Sequence, residues 1–189
     1  MEPTKYYLVL DLEATCDEDH RIPREQTEII ELGAVLCDGE TLSPREEFQT
    51  FIKPRRHPKL TRFCTQLTSI TQADVDAAPY FPQAMATLSR WLVERELPGR
   101  FTFCSWGDYD KQQLQREERK NNVRVPLGAS HLNLKEAFRR RSGDDHKLGV
   151  GGALRRCGIR FEGTAHRGID DARNIAKLLP YCLGRRAIP

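Results

Sequence analysis

Tyr6–Leu12 (YYLVLDL) reads as a strand that is apolar along most of its length and leads into two carboxylates, Asp11 and Glu13. With a side-chain period of two, Tyr7, Val9, Asp11 and Glu13 point to one face, and Leu8, Leu10 and Leu12 point to the other. The pleat therefore aims Asp11 and Glu13 at the same side. Like charges this close repel and push one pKa upward, a penalty that a bound divalent cation removes. The plain alternative is a strand end in water, because D-x-E on its own is a weak signal. A fold for this chain has to supply either solvent or a cation there.

The remaining pattern predicts what surrounds that strand. Glu28–Asp38 and Glu47–Pro54 are further strand candidates, joined by the turn-rich DGETLSP into an antiparallel three-strand meander. Leu60–Ile70, Thr71–Ala78 and Pro82–Glu96 have helical spacing, and the last places Met85, Leu88, Trp91 and Leu92 on one stripe. Arg100–Trp106 is a fourth strand. It is followed by a helix over Tyr109–Asn121, a short strand near Ala129–Leu132, and helices near Asn133–Arg141, Leu148–Cys157 and Gly168–Leu183. The order predicts an α/β fold with one mixed five-stranded sheet, three strands antiparallel and two added in parallel through helical crossovers, flanked by helices. No repeat, low-complexity tract or long linker divides the 189 residues, so a single domain over 1–189 is expected.

Composition narrows the function classes. No window approaches the ~20 uninterrupted apolar residues that cross a bilayer, and an acidic cluster stands where a signal peptide needs its cleavage site. Neither a membrane protein nor a secreted one is expected. Six cysteines, no two closer than 21 residues, exclude a zinc knuckle or ribbon and read as reduced thiols of a cytoplasmic protein. The net charge of +3 hides a division, since residues 1–100 sum to −5 and residues 101–189 to +8. This sorting suits either a solvated face in each half or a polyanionic partner.

Helical period separates two further pairs of acids. In Gly107-Asp108-Tyr109-Asp110, Asp110 lies one turn before Leu114 and faces the sheet, whereas Asp108 is placed to cap the helix. The ordinary alternative for Asp110 is a first-turn acid favoured by the helix dipole. In His166–Ala176 (HRGIDDARNIA), Asp171 shares its face with Ile175 and Leu178, while Asp170 shares its face with Arg173, Asn174 and Lys177 and looks outward. On a continuous helix His166 would stand about 140° from Asp171, so the two converge only if His166 lies on a loop, which Gly163 and Gly168 permit. Asp11, Glu13, Asp110, Asp171 and His166 together are the set that two-metal phosphoryl hydrolysis needs. The acids offer oxygen ligands for two Mg²⁺ ions, with Mn²⁺ a substitute, and the histidine is a base with an ordinary pKa of ~6.5. Setting the four acids aside leaves +7 on the rest of the chain, which favours a phosphate polyanion.

Three segments carry a resemblance. D-L-E-A-T-C at Asp11–Cys16, W-G-D-Y-D at Trp106–Asp110 and HRGIDDARNIA at His166–Ala176 resemble, in order, the motifs of the DnaQ-like DEDDh exonuclease superfamily. Glu28–Gly33 (EIIELG), Leu60–Ile70 (LTRFCTQLTSI), Asn133–Phe138 (NLKEAF) and the Gly-rich Gly149–Gly158 region are similar to the Eri-type 3′-to-5′ exoribonuclease family, over about Tyr6–Leu179. The resemblance implies an RNase H-like fold with its core at about 6–179. It also implies that Asp11, Glu13, Asp110 and Asp171 hold two magnesium ions, with His166 as general base.

Phe63 and Tyr109 are then expected to stack on the 3′-terminal base, and Leu67 to complete that wall or simply to pack in the core. Backbone groups near Ala14 and Thr15, with His166, would meet the terminal ribose. The first strand begins at Tyr6, so no upstream nucleic-acid-binding module is expected. Lys53–Arg62 and Arg139–Arg141 are left as candidate phosphate contacts or as ordinary basic surface. The implied activity is 3′-to-5′ hydrolysis of single-stranded RNA with a free 3′-OH to nucleoside 5′-monophosphates. The alternatives are a DNA exonuclease of proofreading or repair type, and a nucleic-acid-binding regulatory protein without turnover.

Overall fold

A computed structural model describes residues 5–19, 21–143, 146 and 148–189. The elements run β1 (Tyr6–Ala14), β2 (Ile29–Asp38), β3 (Pro44–Phe51), α1 (Arg62–Thr68), α2 (Gln72–Asp76) and α3 (Phe81–Glu94). They continue with β4 (Phe101–Ser105), α4 (Tyr109–Asn121), β5 (His131–Asn133), α5 (Leu134–Ser142), α6 (Val150–Arg156) and α7 (Gly168–Cys182). The strands form one mixed sheet in the order β3-β2-β1-β4-β5. β1–β2 and β2–β3 pair antiparallel, and β1–β4 and β4–β5 pair parallel, as the element order predicts. β1 runs two residues past the expected end, because Glu13 and Ala14 still find Glu31 and Ile29 across β2, with the register shifting between them.

The two faces of β1 enter different cores. Leu8, Leu10 and Leu12 pack with Phe81, Met85, Leu88 and Leu92 of α3 and Leu114 of α4. Val9, on the opposite face, packs with Phe138 of α5, Leu154 of α6 and Ile175 of α7. A smaller cluster of Ile30, Cys64, Ile70 and Val75 fixes α1 and α2 beside the end of β1. All six cysteines are free thiols.

Local chemistry explains most helix starts. Thr61 accepts the Cys64 N–H, Thr71 and Asp74 form a capping box, Pro82 sits in the first turn of α3, and Asn133 accepts the Glu136 N–H. Asp108 is different. It occupies the N-cap position of α4 but makes no side-chain cap, in contrast to the sequence expectation. The chain turns at Gly107 (φ 111°) and reaches Asp108 already near helical angles (φ −107°, ψ −3°), whereas a capping side chain works from an extended backbone.

The approach of α7 to the sheet depends on two facing glycines. A Cβ on Gly33 would lie 2.2 Å from the Ile169 nitrogen, and one on Gly168 would lie 3.1 Å from the Asp11 carbonyl oxygen. Gly168, read from sequence as loop-permitting, is instead helical and serves close packing, while Gly163 (φ 87°) makes the turn. β2 pairs Gly33 with Asp11, so this contact brings the start of α7 down beside the acidic end of β1.

Candidate active site

Carboxylate oxygens of Asp11, Glu13 and Asp171 lie within 4.8 Å of one another. The first two project from the same face of β1 because of the pleat, and the third comes from the first turn of α7. Asp110, in the first turn of α4, is buried beside them, and its Oδ1 accepts the Leu12 N–H at 3.2 Å. This bond ties α4 to β1; Asp110 is not one of the three acids that meet within 4.8 Å, but it lines the same cavity. The donors are all hard carboxylate oxygens, a set that fits Mg²⁺ or Mn²⁺ and does not suit a soft metal.

Electrostatics supports the same reading. Burial, followed by the neighbouring charges of Asp110, Glu13, Asp171 and Glu31, pushes the Asp11 carboxyl well above its usual range. Burial and the charges of Asp171, Glu31 and Asp110 raise Glu13 to about 8. Burial raises Asp110 to about 7 against the opposing hydrogen bonds, and burial also raises Asp171. Crowded, desolvated acids of this kind retain protons until a cation replaces them.

His166 lies outside α7, on an exposed turn with φ 60°, and its backbone N–H bonds to the Asp171 carboxylate. The left-handed backbone of a non-glycine residue is held by bonds on both sides. Asn174 clamps Glu162 twice, donating to its carbonyl at 2.7 Å and accepting its N–H at 3.1 Å. Asp170 accepts the Thr164 N–H at 2.9 Å and pairs with Arg173. The face of α7 read as solvent-facing is thus roofed by the loop that carries His166, and Asn174 is fully buried beneath it.

Glu31 is the residue that sequence reasoning passed over. It is fully buried, sits opposite Glu13 in the β1–β2 register, and binds Arg167 through Nε at 3.0 Å and the Gly168 N–H at 3.0 Å. A buried charge is tolerable when paired and hydrogen-bonded in this way. Gln49 of β3 donates to Glu31 as well, and its other two partners enter α7, so Glu31 fixes the helix start from which Asp171 projects.

A cavity of about 400 Å³ opens over the acids, lined by Asp11, Glu13, Asp110, Asp171, His166 and Tyr109 and walled by Trp106, Val150, Gly151, Phe161 and Ala165. Phe63, Leu67, Ala14 and Thr15 are not among its lining residues. Phe63 and Leu67 stand half-buried one turn apart on α1 and belong to none of the three core clusters. The polar groups of the Ala14–Thr15 segment make hydrogen bonds within the protein. Ala14 accepts the Cys64 thiol, and Thr15 and Glu28 exchange bonds at 2.8 and 3.0 Å.

With this geometry, the model of the exonuclease family matches residues 8–179. The chain belongs to the exonuclease family. Among exonuclease relatives, 3′-5′ exoribonuclease 1 of Mus musculus is 32% identical over 181 residues, covering 92% of this chain and 51% of that protein. The 3′-5′ exonuclease Snipper of Drosophila melanogaster is 32% identical over 195 residues, covering 95% of this chain and 69% of its own. The crystallographic nuclease domain of 3′hExo, a DEDDh family member bound to rAMP, aligns with a TM-score of 0.88 at 26% identity, covering 97% of this chain and 94% of that one. The chain spans about half the length of the mouse exoribonucleases that it matches. The sheet and its flanking helices are those of an RNase H-like DEDDh exonuclease. No helix among the described residues is long and apolar enough to cross a membrane.

Proposed function

We propose that this domain is a divalent-metal-dependent 3′-to-5′ exoribonuclease that shortens single-stranded RNA to nucleoside 5′-monophosphates. The observation that carries the reading is the convergence of Asp11, Glu13 and Asp171 within 4.8 Å, in a cavity that also admits His166. The family relationship and the exoribonuclease relatives support it. Asp11, Glu13, Asp110 and Asp171 would hold two ions, Mg²⁺ with Mn²⁺ as substitute. When bound, these supply Lewis acidity at the scissile phosphate.

His166 takes a proton at a ring nitrogen from the attacking water. The water oxygen bonds to phosphorus, the bond from phosphorus to the penultimate O3′ breaks, and that oxygen takes a proton from solvent as it leaves. Tyr109, a cavity wall residue, meets the terminal base. Phe63 and Leu67, free of the core clusters, are available to sandwich it, and stacking of this kind is worth ~1–3 kcal/mol without sequence preference. Six free thiols suit the reducing cytoplasm as the place of action.

The test compares 5′-labelled RNA carrying a free or a phosphorylated 3′ end, a circular RNA, and a matched DNA, each with Mg²⁺ and with a chelator. Stepwise, metal-dependent shortening of the free-ended RNA alone is expected. Cutting of the circle at the linear rate would overturn the end-directed reading, and faster loss of the DNA would transfer the activity to deoxyribose substrates.

A further inference from the structure

We propose that a stripe of unpaired cations on α4 and its neighbouring loops, beginning at Tyr109, holds the RNA backbone upstream of the cleaved nucleotide. This deepens the exonuclease reading and rests on it. Tyr109, Arg116 and Lys120 are spaced by seven and four residues, which places them on one side of α4. The stripe starts at the cavity wall and extends about 16 Å along the helix, the length of a few nucleotides.

Two loops add cations to it. Arg24 lies over the Tyr109 ring at 5.4 Å and donates to the Gln112 side chain at 3.0 Å. Lys120 donates to the Thr27 carbonyl at 3.2 Å; burial lowers its pKa, and the charges of Arg56 and Arg116 add to that fall while those of Glu117 and Glu28 oppose it.

Among the described residues, the acids nearby form no ion pair with these cations and hold hydrogen-bond partners of their own. Glu28 spends its carboxylate on the backbone N–H groups of Arg55, Arg56 and His57 at 2.8 to 2.9 Å. Glu117 is buried and bonds Asn121 at 2.8 Å. Asp17 accepts the N–H groups of Arg21 and Ile22, and Asp19 pairs with Arg21.

Among the described residues, Arg24, Arg56, Arg116 and Lys120 form no ion pair, whereas Arg45, Arg95, Arg139, Arg167 and Arg173 all do. The Arg116 Nε is shielded from solvent and has no hydrogen-bond partner. Repulsion among crowded cations is relieved by a polyanion whose charges are spaced along a chain. Arginine and lysine offer donors only, which suits phosphate oxygens and carries no base code, as an enzyme advancing along any sequence requires. The other basic cluster read from sequence, at the end of α5, has Arg139 and Arg140 paired with Glu136 and Arg141 bonded to the Cys182 carbonyl.

The experiment compares the wild type with Arg116→Gln/Lys120→Gln, and with an Arg90→Gln/Arg186→Gln control that loses the same charge elsewhere. Binding of an RNA of about twelve nucleotides is measured in chelator from about 50 to about 200 mM salt. Turnover is measured with Mg²⁺ on that RNA and on a dinucleotide. The stripe variant should lower the slope of log affinity against log salt by ~1.4 and raise KM for the longer RNA about five- to tenfold, with dinucleotide turnover unchanged. The control should leave the slope near the wild-type value. An unchanged slope in the stripe variant, an equal fall in the control, or equal loss on both substrates overturns the proposal. Failure of the wild type to cleave either RNA would instead overturn the exonuclease reading, while the binding slopes would still decide the stripe.

Discussion

Asp170 and Asp171 are adjacent in sequence and differ by one helical step, yet they serve different surroundings. Asp171 faces Asp11 and Glu13, whereas Asp170 bonds the Thr164 N–H and Arg173 beneath the His166 loop. Asp171→Asn should abolish Mg²⁺-dependent hydrolysis, by about a thousandfold or more, and weaken metal titration in a folded protein. Asp170→Asn should leave metal titration intact and cost about 1 kcal/mol of stability, read from denaturant melts. The opposite pattern would invert the face assignment of α7. This distinction was legible because a helix repeats every 3.6 residues and Ile175 and Leu178 mark its inner side. Glu31 was not legible, because EIIELG reads as an ordinary strand and only the register opposite Glu13 reveals the fifth acid. Phe161 was not legible as a cavity wall for a related reason, since the 158–167 segment has no period to read, and Trp106 stood out only as part of the W-G-D-Y-D segment.

At the scale of elements, the alternation of strands and helices was readable almost throughout, because each has a strong apolar period. The seating of one element on another was not. α7 meets the sheet where Gly33 lies under Gly168 and Ile169, and nothing in the local pattern of β2 announces that contact. Gly33→Ala puts a methyl group 2.2 Å from the backbone nitrogen of Ile169, so the helix start has to move. The expected result is a loss of about 1–3 kcal/mol in denaturant melts, together with weaker metal binding, because Asp171 moves with its helix. A variant with wild-type stability and metal titration would mean that the helix start can shift without disturbing the acids. Asn174 teaches the same lesson on the opposite face of α7. Its position in the helical period points outward, but the returning loop supplies the cover that a period alone cannot foresee.

For the molecule as a whole, the clustered acids couple stability to pH. Glu13 at about 8 and Asp110 at about 7 lie above their ordinary values of 4.5 and 3.8, so between those limits the metal-free folded chain retains protons that the unfolded chain releases. Their contribution is fully present below the ordinary values and is lost as pH rises through about 7 to 8. In chelator, the melting temperature should therefore fall between about pH 5 and about pH 8.5, and saturating Mg²⁺ should flatten the decline. A metal-free protein that melts higher at the alkaline end would contradict the clustering. The sheet order has a further consequence for how the site fails. Asp11 and Glu13 ride on the central strand, hydrogen-bonded along one edge to β2 and parallel to β4 on the other, whereas His166 sits on an exposed turn fastened by a few side-chain bonds. Local openings release loops long before they reach the middle of a sheet. Mild stress would then silence proton transfer while the ion-binding half stays assembled, leaving a chain that still grips its substrate but no longer cuts it.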